Sequence, residues 1–549
     1  MTNPFSVLFK AYQRKRFLII DDFDSFVFSL KQMLRRLGAE QLDSASNGEK
    51  ALDMALQRHY DVVLCDYNLG DGKNGQQVLE ELKHRGLLRH QDIFIMISAE
   101  AARDWVFAAI ENAPDEYLTK PITQSILQNR LDRILTRKET LRPMYAAMDA
   151  GDFSKALIAC DQALPAHPEY RPLLIKTKAY LYQQVGDLAS ARALYEAALK
   201  HRPVQWARFG LARVLVQAGE LPRAIEILQL LVAEYPTMIQ AWDLLAEALK
   251  ASGDSMAAEE ALRQAANLSP RSVQRQQKLA KLAETNDHPD TAIGASQLAL
   301  RYAENSVHDT PSLYLGHAQI LSGVCESHPD QLNRLGPEIR TTLQNCRQRF
   351  GPAAIDPFDE AIMEARLLIA EGKSDEAMEK VQGLKSRFSA LPSGQQNTEQ
   401  GLALGRCLLM LNAHKEAEAF LYRLVQDHPE EAGLPARVEE LLDEPLSLQA
   451  RMKARELNSQ GIRCYDKALY EDAIRLFTEA AELAPRHVAL NLNLLQTLLR
   501  LDPSRRKQYR ATEAACLERL KGLSSRHRQY RRYRHLLGRL GPEIPQESS

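Results

Sequence analysis

Four short apolar runs in the first 125 residues each end on polar residues. FLII (17–20) runs into Asp21 and Asp22, DVVLC (61–65) into Asp66, IFIMI (93–97) into Ser98, and EYLT (116–119) into Lys120 and Pro121. The runs are nearly continuous and rich in branched residues, as strands are when both faces of their sheet are covered. QLDSA (41–45) is a fifth, weaker candidate. Amphipathic stretches alternate with them: FSLKQMLRRLG (28–38), NGEKALDMALQRH (47–59), QQVLEELKHRG (76–86), DWVFAAIEN (104–112) and ITQSILQNRLDRIL (122–135). This alternation predicts a doubly wound parallel α/β sheet. In such sheets ligands sit at the carboxyl ends of the strands, where the winding reverses, and the polar residues fall at those ends.

The residue types there specify a chemistry. Asp21, Asp22 and Asp66 would converge, and three close carboxylates repel unless a divalent cation joins them. Hard oxygen donors suit Mg²⁺. A carboxylate attacks phosphorus to form an acyl phosphate, with the charge neutralised by a metal and a lysine. The segments IIDDFDSF, LCDYNLGDGKNG, ISAE and YLTKPI resemble the response-regulator receiver family over roughly residues 15–135. The resemblance implies a flavodoxin-like receiver with Asp66 as phosphoacceptor. It implies Mg²⁺ held by Asp22, by Asp21 directly or through water, by Asp66, and by the main-chain carbonyl of Asn68. Lys120 and Ser98 would engage the phosphoryl group, and Tyr117 is the family's rotamer-switching aromatic. Asn68 and Glu100 hold the positions that tune dephosphorylation, and this pair leans toward a short-lived signal. One departure is Gly70, where family members usually carry proline, in a loop of some extra length. Cys65 reads as a small buried hydrophobe.

The rest of the chain has a period. GDFSKALIACDQALPAHP (151–168), GDLASARALYEAALKHRP (186–203), GELPRAIEILQLLVAEYP (219–236) and GDSMAAEEALRQAANLSP (253–270) begin on glycines 35, 33 and 34 residues apart. Small residues let two helices approach, and proline ends the second one. Weaker copies follow at 287–304, 372–384, 413–429 and 468–485. The pattern resembles the tetratricopeptide repeat, which implies an all-α superhelix whose groove binds a protein or peptide. The expected organisation is an N-terminal extension (1–15), a receiver (16–136), five repeats (137–304), an irregular helical segment (305–357), three or more further repeats (358–500) and a basic helical cap and tail (501–549). The linker RKETLRP (137–143) predicts a helix running from the receiver into the first repeat, and SALPSGQQN (389–397) an exposed loop.

Net charge is −1, which predicts no polyanion partner for the whole chain. The end differs: residues 503–540 hold twelve lysines and arginines against Glu513 and Glu518. Arg526, Arg528, Arg531, Arg532 and Arg534, interleaved with Tyr530 and Tyr533, form a basic patch. Such a patch suits a solvated cap, an acidic partner or, less readily, nucleic acid. The seven cysteines are scattered without a CxxC, so a disulfide framework or zinc site is not expected and a reducing cytoplasm fits. No secretory signal and no membrane span is read.

These features predict a bacterial, cytoplasmic, phosphorelay response regulator. A histidine kinase or phosphotransfer protein would phosphorylate Asp66 and thereby gate protein binding by the repeats. It would not be an enzyme beyond self-phosphorylation and autodephosphorylation. Two alternatives stand beside this reading. The chain would act as inhibitor, scaffold or phosphate sink for a sensor kinase, or as an RNA-associated regulator through its basic tail.

Overall fold

The computed structural model describes residues 12–99, 114–201, 204–520, 523 and 529–540. Five parallel strands, β1 (Arg16–Ile20), β2 (Gln41–Ala45), β3 (Val62–Asp66), β4 (Ile93–Ser98) and β5 (Glu116–Thr119), lie in the order β2-β1-β3-β4-β5. β1, β3 and β4 are continuous in apolarity because they feed two cores. Phe17 and Ile19 of β1, Val62 and Leu64 of β3, and Ile93, Ile95 and Ile97 of β4 face one side. Leu18 and Ile20, Val63 and Cys65, and Phe94 and Met96 face the other. Successive side chains on a strand alternate in direction, so both alternating sets must be apolar when both faces are covered.

Helices α1 (Asp24–Arg36) and α4 (Gln124–Thr140) cover the first face; α2 (Gly48–Gln57) and α3 (Gly75–His84) cover the second. Side chains fix three of their starts. Asn47 accepts from the Lys50 N–H, Thr123 from that of Ile126, and Asn74 with Gln77 makes a reciprocal capping box. Two bounds differ from the sequence reading. Helix α1 begins four residues before Phe28, because its buried stripe is Val27, Leu30 and Leu34, whereas Phe28 is exposed. Helix α4 runs past 136 to Thr140, so the expected domain boundary falls inside it. Buried Lys138 anchors this extension by donating to the carbonyls of His90 and Asp92 at 2.6 and 2.9 Å. The helix expected over 104–112 lies outside the described residues.

The linker is not one continuous helix. Leu141, 1% exposed, closes α4 and opens α5 (Arg142–Asp149). Helix pairs follow: α5 with Phe153–Ala166, Arg171–Gln184 with Leu188–His201, Gln205–Gln217 with Leu221–Glu234, Ile239–Ala251 with Ser255–Leu268, and Val273–Thr285 with Pro289–Ala303. Each turn within a pair has one left-handed residue, with φ of 70° at Gly151, 79° at Gly186, 77° at Gly219, 85° at Gly253 and 63° at Asp287. The same conformation recurs at Gly372, Asn412 and Ala468 in later pairs, so the turn persists where glycine is lost. Packing also uses glycine inside helices. A Cβ on Gly210 would lie 2.2 Å from the Tyr195 ring, and one on Gly461 2.7 Å from that of Phe477.

Residues 311–350 form two long helices, Pro311–Ser327 and Leu332–Phe350, of 17 and 19 residues. The irregularity expected there is one of length rather than order. By contact, the described residues up to Ser252, with Ala257–Leu279 and Gln297–Thr310, form one compact unit, and the remaining described segments form a second. In the second, the helix Tyr530–Gly538 buries Leu536 against Leu494, Leu495 and Leu498. Among the described residues no helix is long and apolar enough to cross a membrane.

Candidate functional site

The strand order places the winding reversal between β1 and β3, and the candidate site lies beyond their carboxyl ends. Asp21 directly follows β1, Asp66 is the last residue of β3, Ser98 is the last of β4, and Lys120 directly follows β5. Sequence reasoning ended these runs one residue short at β3 and β4, so the functional side chains belong to the strands themselves. Asp21 is 2% exposed and Asp66 8% exposed, while Asp22 is exposed. Carboxylate oxygens of all three lie within 4.8 Å of one another. The Lys120 ammonium donates to Oδ2 of Asp21 and Oδ2 of Asp66, each at 2.9 Å, and sits 4.1 Å from the centre of the Phe26 ring. The Lys120 N–H donates to the Ser98 carbonyl at 2.8 Å, which ties β5 to β4 at the site.

Electrostatics follow from this crowding. Burial raises the Asp66 pKa; Lys120 pulls it down and Asp21 pushes it up, leaving it above the ordinary carboxylate value. Burial works against the Lys120 ammonium, but its bonds to Asp21 and Asp66 outweigh that and hold its pKa above the ordinary lysine value. Oxygens drawn together in this way, at a pH where they are charged, form the donor set of a hard divalent cation. His59, Asp61 and Asp92 also cluster, but they serve the fold. Asp61 accepts from the Arg16 N–H at 2.9 Å, and Asp92 accepts from the Arg89 N–H at 2.7 Å.

The loop from Tyr67 to Asn74 explains the missing proline. Gly70 and Gly72 have φ of 75° and 97°, which proline cannot adopt. A Cβ on Gly70 would stand 3.4 Å from the Asp22 carboxylate, so the backbone comes close to the acidic cluster. Gly75 is a constraint that sequence reasoning missed: its Cβ would meet the Asp66 carbonyl oxygen at 2.2 Å. Only glycine lets α3 start directly beneath the end of β3. The NG pair was the available signal.

Asn68 is exposed on this loop, and a cleft is lined by Asp22, Asp66, Asn68, Ser98 and Lys120 together. Arg271, from the turn between Ser255–Leu268 and Val273–Thr285, lines the same cleft, and no local sequence signal identifies it. Tyr117 packs against the second core with its hydroxyl buried and without a hydrogen-bond partner among the described residues. Cys65 is fully buried, and burial pushes its thiol pKa far up. Glu100, Arg526 and Arg528 lie outside the described residues. Of the remaining basic patch, Arg531 and Arg534 are exposed. Arg532 turns inward, donating to Asn493 and Gln496 at 2.7 Å each.

Two stretches of the chain match known families. A family model for the response regulator receiver domain matches residues 17–132, and one for the tetratricopeptide repeat matches 176–239. Chemotaxis protein CheY-3 of Vibrio cholerae is 33% identical over 122 residues, which cover 22% of this chain and 92% of that protein. Chemotaxis protein CheY of Pseudomonas aeruginosa is 30% identical over 122 residues, covering 22% and 97%. Among solved structures, a CheY-like response regulator receiver domain protein from Methanospirillum hungatei is 25% identical, with a TM-score of 0.21, over 23% of this chain and 96% of that one.

Proposed function

Through residues 17–132 this chain belongs to the response-regulator receiver family, joined here to tetratricopeptide repeats, and from that premise we propose a phosphorelay switch whose output is protein binding. One observation carries the reading: a single ammonium, that of Lys120, donates to Asp21 and Asp66 together at 2.9 Å. A cation fixed among carboxylates at strand ends is preorganised to neutralise an oxyanion that arrives at Asp66.

The donor is a phosphohistidine of a histidine kinase or phosphotransfer domain. An Asp66 carboxylate oxygen bonds to phosphorus as the phosphorus–nitrogen bond breaks. The imidazole keeps the electron pair and takes up a proton, and the product is an acyl phosphate. Asp21, Asp22, Asp66 and the main-chain carbonyl of Asn68 would hold Mg²⁺, since the three carboxylates already lie within 4.8 Å of one another. Mg²⁺, when bound, supplies the positive charge that lets these oxygens share a site with phosphoryl oxygens. Lys120 then pairs with a phosphoryl oxygen, and the Ser98 hydroxyl donates to another. Asn68 and Glu100 set the lifetime of the phosphoryl group. Tyr117, turned inward with its hydroxyl unpartnered among the described residues, biases the surface beside β5. The proposed organisation is a receiver ending with α4, helix pairs from α5 onward and a basic cap, acting in the cytoplasm as a binding switch rather than an enzyme.

The test is incubation with acetyl phosphate and Mg²⁺, read by intact mass. Wild type gains one hydroxylamine-labile phosphoryl group and Asp66→Asn gains none. Equal gain by both, or none by wild type, overturns the assignment. Pulldown with and without beryllofluoride then reads the output: partners that change in wild type and not in Asp66→Asn support gating, and the same partners throughout refute it.

A further inference from the structure

We propose that Arg271, carried by the repeat array, reads the phosphorylation state of Asp66 and sets the strength of the contact between the repeats and the loop that follows Asp66. The inference rests on the phosphoacceptor reading above.

The loop from Tyr67 to Asn74 is held at both ends by repeat residues of the same compact unit. At its start, the Arg271 side chain hydrogen-bonds the Tyr67 hydroxyl. At its end, Lys73 Nζ donates to the Asn305 carbonyl at 2.5 Å, and the next turn adds Gln77 Nε2 to the Glu304 carbonyl at 3.0 Å. Those carbonyls lie just past the helix Pro289–Ala303, the negative end of its dipole, which suits the Lys73 ammonium. Arg271 also lines the cleft that contains Asp66, Ser98 and Lys120, with its guanidinium carbon 5.9 Å from the centre of the Tyr302 ring. So one arginine touches the dock and faces the site.

Charge gives it a reason to respond. Phosphoryl transfer replaces a singly charged carboxylate with a group carrying close to two negative charges and three strong acceptor oxygens. A guanidinium fork matches such a group better than a neutral phenol does. Arg271 therefore swings from Tyr67 toward the phosphoryl oxygens, shields them from water and draws the repeats onto the loop. A charge-assisted hydrogen bond of this kind changes an equilibrium or a lifetime by about tenfold or more.

The experiment uses the full chain as wild type, Arg271→Ala and Arg271→Lys, each loaded with acetyl phosphate and Mg²⁺, and separately with beryllofluoride and Mg²⁺. Intact mass reports phosphoryl on Asp66 and its decay, and hydrogen exchange is followed over 300–308 and 68–77. In wild type, beryllofluoride slows exchange in both segments by about tenfold. In Arg271→Ala that difference disappears and phosphoryl decay is about tenfold faster, while Arg271→Lys keeps part of both effects. A merely structural arginine would weaken protection equally with and without beryllofluoride, and that outcome overturns the proposal. So does an alanine variant that matches wild type while both carry phosphoryl. A wild type that gains no phosphoryl overturns the underlying reading itself, which the mass measurement distinguishes.

Discussion

Replacing Lys120 by methionine keeps the stem and removes the ammonium that Asp21 and Asp66 share. Both carboxylates are largely buried, so they are left facing each other with only the backbone N–H groups of Phe23 and Tyr67 donating to them. Deleting one partner of a buried ion pair costs about 3–5 kcal/mol, and the lower end applies because the Lys120 side chain is 22% exposed. The cost depends on pH with a definite sign. Burial already holds the Asp66 pKa above the ordinary value against the pull of Lys120, and removing the lysine raises it further. A carboxyl with a raised folded pKa binds its proton more tightly when folded, so stability is lost as pH rises from the unfolded value through the folded one. The deficit of the variant is therefore small at about pH 4 and complete at about pH 8. In a chain of two units a single melting temperature averages unlike events, so the assay is hydrogen exchange of β3 and β4 peptides. About 3 kcal/mol corresponds to exchange roughly a hundredfold faster at the higher pH, and Mg²⁺ recovers part of it. A deficit that is the same at both pH values, or indifferent to Mg²⁺, refutes the reasoning.

Three further outcomes are expected. Gly75→Ala forces a Cβ to within 2.2 Å of the Asp66 carbonyl oxygen, so the receiver loses about 2–3 kcal/mol and takes up phosphoryl poorly, read by urea titration and intact mass. Ala468→Gly relieves a non-glycine residue held at a φ of 59° and slows exchange in the flanking helices, a gain of about 1 kcal/mol; unchanged exchange contradicts this. Of the seven cysteines Cys464 alone is not buried, while burial pushes the Cys407 and Cys516 thiols up to about 12. A thiol reagent on the folded chain therefore labels Cys464 first, and early labelling of Cys65 or Cys516 would contradict the described packing.

The sheet was legible because its central strands β1, β3 and β4 are buried on both faces, so each of those runs breaks only where a side chain is needed for something other than packing. That is why Asp21, Asp66 and Ser98 stood out. The repeats were legible where Gly151, Gly186, Gly219 and Gly253 mark the left-handed turn. They blurred where Asp287, Asn412 and Ala468 adopt the same conformation, because the conformation survives a change of residue that erases the pattern. The helices of 17 and 19 residues broke the period by outgrowing it. Gly75 was hidden because its role is a distance to the Asp66 backbone, and Arg271 because its partner Tyr67 lies about two hundred positions away in the chain. Only the first left a local trace, in the Asn74–Gly75 pair.

A single residue, Leu141, separates α4 from α5. A helix advances about 100° per residue, so lengthening α4 by one residue before that break would turn the start of α5 by that angle about the α4 axis. Seven residues would nearly restore the phase, which makes the junction sensitive to the remainder of its length rather than to the length itself. A chimera that grafts another receiver onto these repeats must therefore match helical phase before it matches any contact. Natural variation in the length of this junction should come in helical steps.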